Sequence, residues 1–175
     1  EKDNFESAFT QLYAGIVEYH SGVAIDSVDQ VSKTLNTSGG MFRGDVINLI
    51  PRQKAPPLVS KTGLANDATG RFASVNVLDY SSTAAPTIHV IGDSSATTQP
   101  KAGHIANQEA KICADAIIRS LGGLAPDPAP ITTSSCFSTI TMTQASWLHA
   151  MYEYNGSAKA MQLIPASFAA STGWS

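Results

Sequence analysis

Short apolar runs broken by turn residues fill the first half of the chain, and one long helical stripe occupies its centre. Residues 5–13 place Phe5, Phe9 and Leu12 at helical spacing, which predicts a helix stopped by Gly15. Gly15–Tyr19 reads as a short strand that turns at His20-Ser21-Gly22. Residues 24–50 predict a β-meander: a strand over Ala24–Val28, a turn at Asp29-Gln30, a strand over Val31–Thr37, the turn Ser38-Gly39-Gly40, then Met41-Phe42. Asp45–Ile50 is almost wholly apolar and closes on Pro51, a pattern that predicts a strand buried on both faces.

Residues 51–70 read as loop, with Pro51, Pro56 and Pro57. Val75–Leu78 reads as a strand, and Thr87–Ile91 as a core strand running into Gly92-Asp93. A helix is predicted from Gly103 to Leu121, with Ala106, Ala110, Cys113, Ile117 and Leu121 forming its apolar stripe and Gly122-Gly123 its C-terminal cap. Pro126, Pro128 and Pro130 make a stiff linker. Residues 131–175 are rich in Thr and Ser and read as a small C-terminal subdomain with Ile140, Trp147 and Met151 in its core. The pattern as a whole is α/β, in detail an α+β arrangement.

Composition narrows the function classes. Charged residues make up 14% of the chain and hydrophobic ones 43%, which argues against disorder driven by charge repulsion. A net charge of −3 gives no electrostatic footprint for nucleic acid. No apolar run reaches the ~18 residues of a membrane span. The charged opening Glu1-Lys2-Asp3 is unlike a signal peptide; if the mature parent is exported, its signal lies upstream. Cys113 and Cys136 form no Cys-x-x-Cys pair, and His20, His89, His104 and His149 show no metal-ligand spacing, so no metal site is read.

The segment with the most chemistry is Ile88-His-Val-Ile-Gly-Asp93, followed by a polar loop to Pro100-Lys101 and the helix. Gly92 lets backbone approach a ligand closely. The Asp93 carboxylate is suited to accept a ribityl hydroxyl of a flavin. The start of a helix points free N–H groups and partial positive charge outward, which suits the electron-rich N1/O2 edge of a reduced flavin. Lys101, Ala102, Gly103 and His104 stand at that position, with Lys101 as an added cation. A strand–Gly–Asp turn also occurs in many α/β folds, and a capping or solvated role for His104 competes with a flavin-facing one. The Gly-x-Gly-x-x-Gly turn that binds the pyrophosphate in dinucleotide folds is not among these residues.

Ile47-Asn-Leu-Ile-Pro51, His89-Val-Ile-Gly-Asp93, Pro100-Lys101 and Cys136-Phe137-Ser138 occur in this order, and together they resemble the flavoprotein subunit of flavocytochrome c sulfide dehydrogenase. The resemblance runs from about residue 5 to about residue 155. It implies a glutathione-reductase-like FAD/NAD fold. Residues 1–50 would be the tail of the NAD-like domain, 51–125 the C-terminal part of the FAD-binding domain, and 126–175 the start of a C-terminal flavin-binding, dimer-like domain. The chain would then be the C-terminal portion of an FAD-dependent oxidoreductase.

The same resemblance implies an activity. Such enzymes oxidise sulfide at a disulfide beside the flavin and pass electrons through FAD to a c-type cytochrome subunit, and they are periplasmic. Cys136 matches one of the two redox cysteines; the other would lie upstream of Glu1. Cys113, on the helix stripe, reads as structural packing. The portion by itself is expected to be inactive, to hold no FAD, and to self-associate through uncovered domain surfaces. Two other readings stand beside this one: a sulfide:quinone oxidoreductase, whose basic amphipathic pattern residues 156–175 lack, and a non-catalytic interaction module.

Overall fold

The structure is a computed structural model that describes residues 1–174. It is a mixed α/β chain with several sheets and few helices, and it divides into two compact units, Lys2–Gln53 and the chain from Lys54 onward.

The first unit opens with α1 (Lys2–Gln11), along which the Phe5 and Phe9 rings meet at a tilt of 46°, 6.3 Å between centroids. The expected meander follows as β1 (Ile25–Asp29), β2 (Thr34–Thr37) and β3 (Gly40–Arg43), antiparallel in chain order. Its first turn is organised by Asp29, whose Oδ1 accepts the N–H groups of Val31 and Ser32 at 2.9 and 3.2 Å. Two expectations fail here. Gly15–Tyr19 is not a strand: the N–H groups of Ile16 and Val17 fold back onto the Tyr13 carbonyl. Asp45–Ile50 is not a strand either, and it is not buried, since Val46 is 85% and Ile50 76% exposed. An apolar run supplies no ladder partner of its own, and no described strand of the unit pairs with this one.

The second unit packs α2 (Pro57–Lys61) and β4 (Ala73–Asn76) around a small core of Ala55, Val59, Leu64 and Ala73, with Phe72 and Val90 against it. β4 runs between an antiparallel β5 (Ser81–Ser82) and a parallel β6 (Ser95–Ala96). The expected strand over Val75–Leu78 thus ends at Asn76, whose carbonyl takes the N–H groups of Asp79 and Tyr80 in a tight turn. Thr87–Ile91 is not a regular strand. It meets β5 through the isolated bridge Ser81↔His89, with Ser82 N–H donating to Ile88 O and Val90 N–H to Tyr80 O, and no other described strand pairs with it.

The central helix, α3 (Gly103–Leu121), begins and ends where its spacing predicts, and Gly122 and Gly123 cap it by donating to Ile118, Arg119 and Ser120 carbonyls. Its buried line is Ile105, Glu109, Cys113 and Ala116, so the predicted stripe is set around the helix by one step. Of that stripe only Cys113 is buried, and Leu121 is 86% exposed.

A four-stranded antiparallel sheet completes the unit: β7 (Ile131–Thr139), β8 (Ala145–Asn155), β9 (Ala160–Leu163) and β10 (Ala169–Ala170). β7 takes one edge of β8, while β9 and β10 share the other. Ile140 is buried as expected, but Trp147 faces outward opposite Phe137 rather than into a core.

The loop that leads into β4 is held by Asp67. Its carboxylate accepts the Thr69 hydroxyl at 2.5 Å and the N–H groups of Thr69, Arg71 and Phe72. The Thr69 hydroxyl, and after it the Phe72 N–H, pull its pKa from 3.8 to about 2. A depressed carboxylate stabilises the fold above its unfolded pKa, and that contribution is lost as pH falls towards the folded value. Unfolding midpoints measured in denaturant from pH 5 to pH 2 are therefore expected to fall below pH 4, and Asp67→Asn to flatten the fall over that window.

Candidate functional site

The Gly92–Ser95 turn and the start of α3 form one structural piece. Gly92 has φ +65°, a left-handed conformation, and a Cβ placed there would meet the Ala106 Cβ at 3.3 Å. Glycine therefore meets two demands at once: a positive φ and close approach to the helix. Gly92 N–H donates to Glu109 Oε2 at 2.5 Å, and Gly92 O accepts the Ser95 hydroxyl at 2.8 Å. Glu109 is 1% exposed. Burial pushes its carboxyl upward, while the Gly92 N–H, the Lys101 charge and the Thr97 side chain pull the other way.

Lys101 holds the turn from its other side. Its ammonium donates to the backbone carbonyls of Asp93 at 2.9 Å and Ser95 at 2.7 Å and lies 4.1 Å from the centroid of the Phe72 ring. Desolvation lowers its pKa, opposed first by Asp93 and then by Glu109. The cation expected at the helix start is thus committed to the turn's own backbone. The Asp93 side chain is exposed and accepts no hydrogen bond from any described residue.

Ala102 precedes α3 in extended conformation and offers no side-chain cap. The first N–H groups of the helix, from Gly103 onward, consequently point outward without a side-chain partner. A Cβ built on Gly103 meets nothing within 4 Å, so the space in front of it is open.

The helix also grips the free edge of β7. Gln108 pairs with Thr133 as a strand would: Thr133 N–H donates to Oε1 at 2.9 Å, and Nε2 donates to Thr133 O at 2.6 Å. One turn earlier, His104 Nδ1 accepts Ser135 N–H at 3.2 Å. A neutral imidazole that accepts at Nδ1 carries its proton on Nε2, which leaves that nitrogen as a donor. Cys136 follows Ser135 in β7, half-buried and opposite Leu148. Burial raises the Tyr152 phenol, and the Cys136 thiol adds to the shift. Cys136 and Cys113 are both free thiols, and burial raises the pKa of Cys113.

The residues singled out in the sequence therefore fall into two groups. Gly92, Asp93, Lys101, Ala102, Gly103 and His104 lie together at the turn and helix start, and the residue before Cys136, Ser135, donates its N–H to His104. Trp147 stands apart from them and faces outward on the sheet. Spacing alone missed Glu109, because an acid scores as solvent-facing; its only sequence signal is its place four residues after Ile105 and four before Cys113. Among the described residues no group of three or more His, Cys, Asp or Glu is placed to hold a metal, and no helix is long and apolar enough to cross a membrane. No protein-family model matches the chain.

The left-handed geometry of Gly92 gives a direct test. Gly92→Ala is expected to lower the unfolding free energy by about 1–3 kcal/mol, the usual cost of a side chain in that region. Gly103→Ala, with open space for its Cβ, is expected to leave stability near wild type; chemical denaturation of both variants measures the difference.

Proposed function

We propose that this chain supplies the ribityl-binding turn and one redox cysteine of an FAD-dependent sulfide dehydrogenase of the flavocytochrome c type, acting in the periplasm with a c-type cytochrome subunit as electron acceptor. The observation that carries this reading is the hydrogen bond between Ser135 N–H and His104 Nδ1, which seats the strand bearing Cys136 against the first turn of α3, beside Gly92-Asp93.

The residues present fit such a cofactor. The Asp93 carboxylate is exposed and unpartnered, as a group that accepts from a ribityl hydroxyl must be. The outward N–H groups at Gly103 and His104 favour a negatively charged edge. Gly92 has no side chain to obstruct close approach, and Lys101 adds positive charge behind the turn while its ammonium stays on the Asp93 and Ser95 carbonyls. The chemistry that FAD supplies when bound is acceptance of two electrons and their release one at a time.

Cys136 is the residue assigned to sulfide. A thiol reacts as its thiolate and needs a partly exposed position, which half-burial at the end of β7 nearest the helix start provides. Cys113 does not compete for the role, since it lies buried on the inner face of α3 with its thiol pKa raised. The disulfide partner of Cys136 is assigned, on the resemblance alone, to a position upstream of Glu1.

In the intact protein, Cys136→Ser is expected to retain FAD and to lose sulfide-dependent cytochrome c reduction by roughly a thousandfold or more. Normal turnover would remove Cys136 from the chemistry. Asp93→Ala is expected to lower flavin occupancy, read from the visible spectrum of the purified protein; full occupancy would remove Asp93 from the site. Reduction of quinone in place of cytochrome c would move the protein to the sulfide:quinone oxidoreductases, and a colourless intact protein would leave an interaction module.

A further inference from the structure

We propose that Glu109 is a positioning residue for the cofactor-facing turn: its buried carboxylate takes the Gly92 N–H and so fixes the direction in which the Asp93 carboxylate and the open start of α3 face outward. This rests on the flavoprotein reading above and deepens it at the same site.

The Gly92 N–H lies on the helix side of the turn. The left-handed φ turns it inward against α3, and Glu109 Oε2 is its acceptor at 2.5 Å. A buried N–H without an acceptor costs about 1–3 kcal/mol. A carboxylate is also a costly way to fill a buried helix position. Its neighbours along the buried line, Ile105, Cys113 and Ala116, show that packing there is otherwise done by apolar side chains. An acid at 1% exposure therefore answers the N–H it meets rather than the core it fills.

The other polar groups of the turn are held as well. Asp93 O and Ser95 O are taken by the Lys101 ammonium, and Gly92 O by the Ser95 hydroxyl. The Asp93 carboxylate is the charged group of the turn left exposed, so the turn serves as a mount for it. Glu109 stands six residues into the helix, about 9 Å along its axis from Gly103. The element that presents the outward N–H groups thus also anchors the turn, and the spacing between the two sets of cofactor contacts is fixed by one rigid body. The role requires an acceptor at this position, and a glutamine supplies the same acceptor oxygen without the charge.

The test compares Glu109→Ala and Glu109→Gln in the intact protein. Amide hydrogen exchange across Gly92–Ser95 is followed in the flavin-free form, and flavin occupancy and the visible spectrum in the loaded form. Glu109→Ala is expected to exchange about tenfold faster at Gly92, the size of one lost hydrogen bond, and to hold less than half the wild-type flavin with a shifted absorption band. Glu109→Gln is expected to restore both towards wild type. Should Glu109→Ala fail to fold, Glu109→Asp, which keeps the charge but withdraws the acceptor by one methylene, is expected to behave as the alanine variant should. Unchanged exchange at Gly92 overturns the clamp. Faster exchange with wild-type flavin occupancy and spectrum overturns its positioning role, and a glutamine variant as impaired as the alanine one overturns the acceptor argument. A wild-type intact protein without flavin overturns the function reading and the cofactor half of this proposal, while the exchange data still decide whether the clamp exists.

Discussion

The polar grip of α3 on two different elements is the constraint on which the candidate site depends. Glu109 holds the Gly92 N–H, and Gln108, one residue earlier, holds the backbone of Thr133. Adjacent helix residues point about 100° apart, so the pair reaches two neighbours on different sides of the helix. His104, four residues before Gln108, lies on the same face and extends that grip to Ser135. Each of these contacts gives a backbone group a side-chain partner from the helix.

This arrangement accounts for how a sheet with an open edge meets a helix. β7 lies at the edge of its sheet, and the N–H groups of Thr133 and Ser135 point away from β8. A side-chain amide donates and accepts there as a further strand would, which closes part of the edge without adding one. The inner face of β7 is itself polar. Thr132 is fully buried and pairs with the Gln99 amide, and Ser146 pairs with Ser171. Hydrogen bonding thus shares with apolar packing the work of placing Cys136, and the small hydrophobic cluster around Val59 and Ala73 supports β4 instead.

Legibility in the sequence followed the physics of each element. The extent of α3 was readable, since its helical spacing and the Gly122-Gly123 cap are local signals. The meander was readable because Asp29 and Gly39-Gly40 mark its turns. Asp45–Ile50 and Thr87–Ile91 misled because a strand is defined by its neighbours, and hydrophobicity does not report whether any are present. The buried line of α3 was misread because an apolar count passes over Glu109. Gly92 and Asp93 were legible as a turn with an available carboxylate, whereas the clamp behind them depends on a contact across 17 positions of sequence.

The claim that α3 gathers the Gly92–Asp93 turn and the Cys136 strand into one flavin site is tested most directly by a crystal structure of the intact protein with its bound cofactor. The expected structure has the Asp93 carboxylate within hydrogen-bond reach of a ribityl hydroxyl, the N–H groups at the start of α3 facing the pyrimidine edge of the ring, and the Cys136 sulfur beside the ring. A flavin bound elsewhere, or Cys136 turned away from it, would contradict the account.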